Sequence, residues 1–311
     1  MTRDATRATD SPQSRAEAPV VIGLGELLWD EFEDGRRPGG APANVAYQAT
    51  QLGLAGRIAS RVGRDEDGDR LVEQVRRKGL DVQLVQVDGE HLTGRVTIDL
   101  EDGQPSYSIH PAAWDYIETT EPLTAACEQA AAICFGTLAQ RGETSQATIA
   151  ACCDAAGPLK VFDVNLRQSY YSRDILEASL QHADVVKFNH DEALVIAKLL
   201  QRDADSLPQS LRQDFEIGLV CITRGAEGCE LIADERVFQP SEPVEVADAV
   251  GAGDAFTAAL TYATLHEWPL MERARLANAV GGLVASQRGA MPDIAERVAS
   301  LLADIHGKPA G

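Results

Sequence analysis

The feature that most constrains the fold of this chain is the alternation of short apolar runs with stretches of helical periodicity. Six apolar runs of six to eight residues have the composition of buried strands. They are VVIGLGE (20–26), GRIASRV (56–62), AAICFG (131–136), KVFDVN (160–165), DVVKFN (184–189) and GLVCITRG (218–225). Helical patterns fit residues 44–53, 65–79, 143–156, 172–182, 190–201, 254–267, 270–287 and 292–304. The alternation predicts an α/β fold in which helices cover both faces of a mostly parallel sheet.

Two stretches break this alternation and predict a lid. Residues 29–40 and 91–111 each contain an Asp-Gly pair, which in the second stretch lies between alternating runs. Asp-Gly is typical of tight β-hairpin turns, so both stretches are expected to form hairpins of a small sheet that stands off the main body. No internal repeat or low-complexity linker divides the chain. We therefore predict one domain over residues 19–305 that carries this lid.

Charge and cysteine content narrow the possible partners. The 311 residues carry a net charge of −20, whereas nucleic acids and anionic membranes are bound by basic faces. Six cysteines occur without a C-x-x-C pair or a zinc-like spacing. No apolar run reaches transmembrane length, and residues 1–18 lack the apolar stretch of a signal peptide, so they are expected to form a disordered tail. We expect a cytoplasmic protein with reduced thiols that binds small molecules, not nucleic acid or membrane.

The stretch DAVGAGDAFTAAL (248–260) places a carboxylate at the mouth of a helix. The turn Gly251-Ala252-Gly253 brings several backbone N–H groups and the positive end of the helix dipole to one point. Such an anion hole holds charge on a transferring phosphoryl group without a basic side chain. Asp254 at the same point would repel anions, but it suits the removal of a proton from an attacking alcohol. The alternative is an N-cap aspartate after a flexible turn.

Two further stretches suit a hydroxyl-rich ligand. PGGAPANVAYQ (38–48) is a second glycine-rich loop before a helix, and its Asn44 can cap that helix or hydrogen-bond a ligand hydroxyl. GELLWD (25–30) places Asp30 just beyond a strand end, where it can bind sugar hydroxyls or lie on the surface. Together with Asp254, these residues predict a hydroxyl-binding site beside an anion hole.

Five motifs occur in the order typical of one enzyme family. The first and last resemble its N-terminal and C-terminal signatures, and the other three resemble the motifs between them. In chain order they are GGAPANVA (39–46), DVNLR (163–167), NHDE (189–192), TRGAEG (223–228) and DAVGAGDAFTAA (248–259). On these motifs the chain resembles the ribokinase-like (PfkB-type) carbohydrate kinases over about residues 20–295. The resemblance implies a three-layer α/β/α fold with a β-lid and ATP-dependent phosphorylation of a sugar hydroxyl.

The resemblance also implies roles for individual residues. Asp254 is the implied general base, and the implied anion hole consists of the amides of Gly251, Ala252 and Gly253. The implied substrate-binding residues are Asp30, Gly39, Gly40, Asn44 and Arg167. The implied nucleotide-binding residues are Lys187, Asn189, Thr223, Gly225, Gly228 and Asn278, together with the segment RGA at 288–290. Arg167 has a salt bridge on its own loop as its alternative role.

Two metal ions are implied by the same resemblance. Asn189 and Glu192 resemble an N-x-x-E motif that orders Mg²⁺ near the phosphates, although the same spacing is common in helix N-cap pairs. Asp248 and the carbonyl of Val250 are the implied ligands of an activating K⁺ ion. The family usually has Thr or Ser after the first Asp of the C-terminal signature, where this chain has Ala249. That departure removes a hydroxyl near Asp248 and leaves Asp254 and the glycine turn intact.

Rival interpretations are tested by particular residues. GLGE (23–26) is not a dinucleotide-binding fingerprint, because Leu28 stands where the third glycine of G-x-G-x-x-G is required. No G-x-x-x-x-G-K-[ST] loop occurs either. A non-catalytic sugar-binding or assembly protein on the same fold should have lost the base, the anion-hole glycines or the N-x-x-E pair. All of them are present in this chain.

The acceptor is the least determined part of the prediction. GELLWD and DVNLR look most like fructokinases, with ribokinase or 2-keto-3-deoxygluconate kinase as the alternative. The acidic hairpins would repel a sugar phosphate, which favours a free monosaccharide, fructose first. The arginines Arg36, Arg37 and Arg95 are counter-evidence, since they suit the carboxylate of a sugar acid. Tyr107 and Trp114 can face a sugar ring or pack within the lid. Lids of this family sometimes pair, so a homodimer and a monomer both stay open.

Overall fold

The computed structural model of the chain describes residues 18–32, 35–101 and 104–306. The predicted N-terminal tail therefore lies outside the described residues, except for its last residue. The tips of the two predicted hairpins, at 33–34 and 102–103, lie outside them as well.

The described residues form thirteen strands and ten α-helices. The strands are β1 (Val20–Leu24), β2 (Leu28–Phe32), β3 (Gly35–Gly39), β4 (Ala55–Gly63), β5 (Asp81–Asp88), β6 (Gly94–Glu101), β7 (Gln104–Ile109), β8 (Ala132–Phe135), β9 (Leu159–Asp163), β10 (Val185–Asn189), β11 (Leu219–Thr223), β12 (Cys229–Ile232) and β13 (Arg236–Gln239). The helices are α1 (Ala41–Gln51), α2 (Glu66–Arg77), α3 (Glu121–Gln129), α4 (Glu143–Cys153), α5 (Arg173–His182), α6 (His190–Leu199), α7 (Leu207–Asp214), α8 (Ala252–Leu265), α9 (Leu270–Ala285) and α10 (Ala295–His306).

Nine strands form the central sheet, in the order β13-β12-β11-β10-β9-β8-β1-β4-β5. The strands from β11 to β5 pair in parallel with their neighbours. The strand β12 pairs antiparallel with β11, and β13 pairs antiparallel with β12. Phe162 of β9 stacks on Phe135 of β8 in the core of one face, while their neighbours Val161 and Cys134 belong to the core that contains α8 and α9. Because successive side chains of a strand point to opposite faces, these apolar strands bury both. The predicted three-layer fold class is confirmed.

Five elements are not predicted by the sequence pattern, and each is short or lies at a sheet edge. The strand β5 forms one edge, and the antiparallel pair of β12 and β13 forms the other. Most positions of β5 are only partly buried, and its Val87 is 55% exposed. The helices α3 and α7 have nine and eight residues, and each buries only two of them. An element with so few buried positions produces a weak periodic signal.

The second sheet forms the lid and has the strand order β3-β2-β6-β7. The pairs β2–β3 and β6–β7 are antiparallel hairpins, and β2 and β6 are parallel. Three residues separate β1 from β2, and a single residue separates β3 from α1. The lid is therefore attached to the carboxyl end of β1 and to the amino end of α1.

Trp114 does not offer a face to a ligand. Its ring is fully buried, and the guanidinium carbon of Arg141 lies 4.1 Å from the ring centroid. The interpretation of Trp114 as a sugar-facing residue is therefore wrong, because burial in the core stabilises a ring of this size. The side chain of Tyr107 lies outside the described part of the chain.

The six cysteines are all buried, free thiols. Cys134 and Cys221 lie in β8 and β11, as their apolar surroundings in the sequence predict. Among the helices of the described ranges, none combines the length and the apolar character needed to cross a membrane.

We predict that Phe162→Ala lowers the free energy of unfolding by about 3–5 kcal/mol, because it leaves a cavity in the core of the sheet. The matched control is Phe238→Ala, since the Phe238 side chain is 49% exposed on β13. For this control we expect a loss of about 0.5 kcal/mol or less. Urea denaturation followed by circular dichroism measures both values. Equal losses for the two variants would contradict the placement of Phe162 in the core.

Candidate active site

The predicted site residues converge where parallel strands end and two helices begin. The strands β1, β9 and β10 end at this edge of the sheet, and the first turns of α1 and α8 face it. Crevices at the carboxyl ends of parallel strands are the usual ligand sites of open α/β sheets. The lid follows β1 directly, so it borders the same crevice.

The glycine turn before α8 has the conformation expected of an anion hole. Gly251 is the N-cap residue and has a left-handed backbone with φ of 77°. A Cβ atom at this position would also overlap Ala290, so the close approach of the two loops requires glycine. The amide of Ala252 donates to the Ala249 carbonyl across 3.3 Å. The first-turn amides of Gly253 and Asp254 are those that a helix leaves without an intrahelical acceptor.

Asp254 and Asn44 meet across the crevice. Asn44 Nδ2 donates to Asp254 Oδ2 across 2.7 Å, which joins two motifs 210 residues apart in sequence. Neither residue is an N-cap: Gly40 precedes α1 and Gly251 precedes α8. The capping alternative is therefore wrong for both side chains. Pro42 in the first turn of α1 lets that helix begin three residues before Asn44.

The environment of Asp254 tunes its proton affinity. Burial, and to a lesser degree the charge of Asp163, raises the pKa of Asp254 to about 6. The hydrogen bond from Asn44 and the positive charges of Lys187 and Arg167 act in the opposite direction. A carboxylate with this pKa is ionised at neutral pH and still binds a proton more readily than an ordinary aspartate does.

Two more carboxyl groups lie at the lid side of the crevice. Burial raises the pKa of both Asp30 and Glu26 to about 7, with the negative charge of Asp254 adding to the shift. The Asp30 carboxylate covers Gly39, where a Cβ atom would overlap Oδ2. Gly40 packs against the backbone of Glu26 in the same way. The two glycines therefore allow the lid strand to approach these carboxyl groups closely.

Glu26 is a site residue that the sequence analysis does not identify. It is 3% exposed, its Oε1 accepts the Ala41 amide across 3.2 Å, and its Oε2 has no hydrogen-bond partner among the described residues. It holds the amino end of α1, whose N-cap Gly40 has no side chain to do so. The signal that could have identified it is its place at the end of the apolar run 20–26, whereas Asp30, predicted just beyond that run, lies within the lid strand β2.

Lys187 does not extend freely toward a ligand. Its ammonium group lies 3.0 and 3.1 Å from the two carboxylate oxygens of Asp163, and both residues are buried. The pKa of Lys187 is raised by the neighbouring carboxylates although burial lowers it, so the group stays charged. Asp163 opens the motif DVNLR, but the sequence analysis assigns it no role.

The N-x-x-E pair forms a capping box. Asn189 Oδ1 accepts the Glu192 amide, and Glu192 Oε2 accepts the Asn189 amide, both across 2.8 Å. Glu192 Oε1 also accepts the amide of Leu166 across 2.7 Å. The N-cap interpretation of this spacing is thus present in the structure, and it ties the loop after β9 to the start of α6.

Arg167 is exposed on the loop after β9 and faces the carboxyl groups of the crevice. Its positive charge lowers the pKa of Glu26, Asp30 and Asp254. Its Nη1 donates to the neighbouring Leu166 carbonyl across 3.3 Å. The guanidinium group therefore remains at the open side of the site, where ligands enter.

Of the predicted nucleotide residues, Asn278 lines a large cleft. Thr223 ends β11, and Gly225 and Gly228 form the turn into β12 with φ of 55° and 119°. Asn278 Nδ2 donates to the Gln239 carbonyl across 2.9 Å. A cleft of about 950 Å³ opens beside Asn278, between the segment 239–247 and the helices α9 and α10.

Asp248 connects the glycine turn to the predicted adenine loop. Its Oδ1 accepts the Val250 amide and its Oδ2 accepts the Gly289 amide, each across 3.0 Å. The hydroxyl that Ala249 lacks is not needed for either bond. The loops at 248–250 and 288–290 are therefore held side by side next to the anion hole.

Comparisons with known proteins show the family to which this chain belongs. Residues 18–297 match the family model of the pfkB family carbohydrate kinases. A fructokinase from Escherichia coli is 32% identical over 289 residues, which cover 86% of this chain and 94% of that protein. A sugar kinase from Pyrococcus horikoshii is 31% identical over 294 residues, which cover 87% of this chain and 91% of that protein.

Solved structures share the fold. The crystal structure of the Pyrococcus horikoshii sugar kinase has a TM-score of 0.77 and covers 88% of this chain and 93% of that chain. The same kinase has also been solved in complex with ATP. A fructokinase double mutant from Vibrio cholerae, bound to fructose, ADP and a potassium ion, has a TM-score of 0.78 at 24% identity and covers 93% of this chain and 100% of that chain. With a family match across most of its length, the chain belongs to the pfkB family of carbohydrate kinases.

Proposed function

We propose that this protein is an ATP-dependent sugar kinase that phosphorylates a hydroxyl group of a free monosaccharide, with fructose as the first candidate. The observation that carries the proposal is the Asp254 carboxylate, which Asn44 holds at the mouth of the glycine turn. A base and a set of free helix-terminal amides at one point suit the transfer of a phosphoryl group to an alcohol.

In the proposed reaction, Asp254 accepts the proton of the sugar hydroxyl while the hydroxyl oxygen bonds to the γ-phosphorus of ATP. The bond from the γ-phosphorus to the bridging oxygen breaks, and ADP leaves with the electron pair. Charge develops on the transferring group, which the amides of Gly251 and Gly253 and the positive end of α8 stabilise. Neither a covalent intermediate nor a basic side chain in contact with the phosphorus is required.

ATP is assigned to the cleft beside Asn278. Its volume of about 950 Å³ suits a nucleotide, and the cleft lies beside the loops that Asp248 joins to the glycine turn. Thr223, Gly225 and Gly228 are proposed to border the phosphates, and Asn278 the base. The complex of the Pyrococcus horikoshii kinase with ATP supports this choice of nucleotide. ATP as a substrate and six free thiols support a cytoplasmic location.

Mg²⁺ is proposed to enter with ATP. Within the described residues, no group of three or more His, Cys, Asp or Glu side chains could hold a metal ion. Mg²⁺ commonly keeps several waters and is bound through substrate phosphates, where it offsets charge on the β- and γ-oxygens. Glu192 accepts one amide at each carboxylate oxygen, which leaves lone pairs for water molecules of the hydrated ion. Asn189 and Glu192 are therefore proposed to act through water.

A K⁺ ion is proposed beside the anion hole. Each Asp248 oxygen accepts one amide and retains acceptor capacity, and the Val250 carbonyl belongs to the same turn. The potassium ion in the Vibrio cholerae fructokinase supports the choice of cation.

A neutral sugar suits the charge of the acceptor site. Glu26, Asp30 and Asp254 bring three carboxyl groups together, and the positive charge of Arg167 acts on all three. Carboxyl groups with a pKa of about 7 can both donate hydrogen bonds to sugar hydroxyls and accept hydrogen bonds from them. Of the three arginines that favour a sugar acid, Arg36 is bound to Asp67 on α2 and stacked on Trp29, so it is directed away from this site. These observations favour fructose over 2-keto-3-deoxygluconate, with ribose as a further candidate.

We predict that Asp254→Asn lowers kcat by about 10²–10⁴-fold, because the amide cannot accept the hydroxyl proton. The Kd of ATP should change by less than about threefold, since the anion-hole amides and the cleft are unaltered. The matched control is Asp69→Asn, an exposed aspartate in the first turn of α2. A coupled ADP assay and isothermal titration calorimetry measure the two quantities. If Asp254→Asn retained more than half of the wild-type kcat, Asp254 would not be the base.

A second prediction concerns pH. Only ionised Asp254 accepts a proton, and its pKa is raised to about 6, so kcat/KM should fall as the pH is lowered through about 6. Asn44→Ala removes a hydrogen bond that lowers this pKa, and we expect the midpoint of the acid limb to rise by about one pH unit. The pH dependence of kcat/KM for both proteins checks this. If the acid limb of the Asn44→Ala variant kept the wild-type midpoint, the group that titrates in this limb would not be Asp254.

A third prediction concerns the acceptor. Fructose should have a higher kcat/KM than ribose, 2-keto-3-deoxygluconate and fructose 6-phosphate, all measured under one condition. Fructose 6-phosphate should be the poorest, because it adds about two negative charges to a site rich in carboxyl groups. A tenfold preference for fructose 6-phosphate would contradict the charge argument. A preference for the keto-deoxy acid that Arg167→Gln abolishes would assign that residue to the acceptor carboxylate instead.

A further inference from the structure

Three buried polar side chains lie directly behind the first turn of α8. They are Asp163 at the end of β9, Lys187 in β10 and Thr257 in α8, with exposed fractions of 4%, 7% and 0%. Thr257 Oγ1 donates to Asp163 Oδ2 across 2.7 Å, and the same carboxylate accepts both hydrogen bonds from Lys187. We call this hydrogen-bonded group the buried triad.

The buried triad touches the catalytic turn at Gly253. Thr257 Oγ1 lies 3.0 Å from the Gly253 carbonyl oxygen. On the other side, the ammonium nitrogen of Lys187 lies 3.2 Å from the point that a Cβ atom of Gly253 would occupy. Through these contacts, two strands of the central sheet hold the residue that supplies an anion-hole amide and precedes Asp254.

Stability alone is a weak explanation for a buried ion pair. Removing two charges from water costs free energy that their attraction does not always restore, and apolar side chains of similar volume often stabilise a core as well or better. The core on this side of the sheet is otherwise built from apolar side chains of β9, β10 and α8. A charged pair at the one place where the core meets the anion hole therefore points to a role in the chemistry of that site.

We propose that Asp163 is a positioning residue of phosphoryl transfer, which through Lys187 and Thr257 holds the Gly253 amide and the Asp254 carboxylate in register with the acceptor hydroxyl. The inference rests on the kinase activity proposed above. Asp163 itself contacts neither substrate, because its carboxylate is enclosed by its two partners.

The same arrangement makes the proton affinity of Asp254 depend on the triad. The charge of Asp163 raises the pKa of Asp254, and the charge of Lys187 lowers it by less. The other polar groups that act on Asp254 or titrate with it are Asn44 on α1, Arg167 on the loop after β9, and Glu26 and Asp30 after β1. None of these groups belongs to the buried triad. A shift in the pKa of Asp254 on substitution of Asp163 can therefore be assigned to the triad.

The first test is Asp163→Asn, which removes the charge and nearly keeps the shape. We expect kcat to fall about 10- to 100-fold, because misplacement of a reacting group by about 1 Å has effects of this size. The acid limb of kcat/KM should move to lower pH by about one unit, since a nearby negative charge is lost. If Asp163→Asn does not fold, Asp163→Asn combined with Lys187→Met leaves no unpaired buried charge. It should lower kcat similarly, with a smaller shift of the acid limb.

The second test separates geometry from charge. Thr257→Val removes the hydroxyl and keeps both charges, so kcat should fall about tenfold while the acid limb stays in place. The control is Thr264→Val on the same helix, because the Thr264 hydroxyl is buried without a hydrogen-bond partner among the described residues. This control should keep the wild-type kcat. Thermal unfolding of each variant gives the folded fraction at the assay temperature.

The outcomes distinguish the inference from the proposed function. A folded Asp163→Asn variant, or the double variant in its place, with kcat within about twofold of wild type and an unmoved acid limb would overturn the positioning role. A fall in activity that only follows the folded fraction, with no shift of the acid limb, would also overturn it, because a purely structural role has that result. If the wild-type protein phosphorylated no sugar, the proposed function would fail, and the inference with it.

Discussion

The hydrogen bond between Asn44 and Asp254 is the interaction on which the arrangement of the site depends. It links the first turns of α1 and α8, which come from opposite ends of the chain. The amino end of α1 also carries the lid, because β3 runs into it after a single residue. This hydrogen bond therefore joins the proposed base to the helix that follows the lid.

The two sides of the site accommodate negative charge in different ways. On the acceptor side, Glu26, Asp30 and Asp254 are close together, and burial keeps their proton affinities above those of ordinary carboxyl groups. On the side proposed to bind the phosphates, backbone amides and the end of a helix supply the positive potential. The proposed binding of phosphate by backbone groups would explain how a chain with a net charge of −20 suits an anionic nucleotide.

The sequence motifs predict which residues belong to the site better than they predict which residues these contact. The turn at 251–253 and the proposed base Asp254 follow from local sequence, because a glycine turn before an apolar helix has few alternatives. The same local logic fails for Asn44, whose capping role is excluded once α1 begins at Ala41. Local sequence also does not identify Glu26 and Asp163 as site residues. Both are carboxylates at the ends of apolar runs, and their roles depend on Ala41 and Lys187, partners that lie elsewhere in the sequence.

The sequence by itself determined the parallel α/β architecture, the lid and the five motifs, because the periodicity of buried positions and the glycine turns are local properties. Only the tertiary structure decided which charges face each other. The ends of β1, β9 and β10 meet because the order of strands in the sheet brings them together, and that order is not written in any one segment. Lys187 is thus paired with Asp163, and Asp254 acquires a pKa of about 6, through burial and through neighbours from three different strands and helices. Electrostatic interactions act over distances in space, so a residue's proton affinity is a property of the fold.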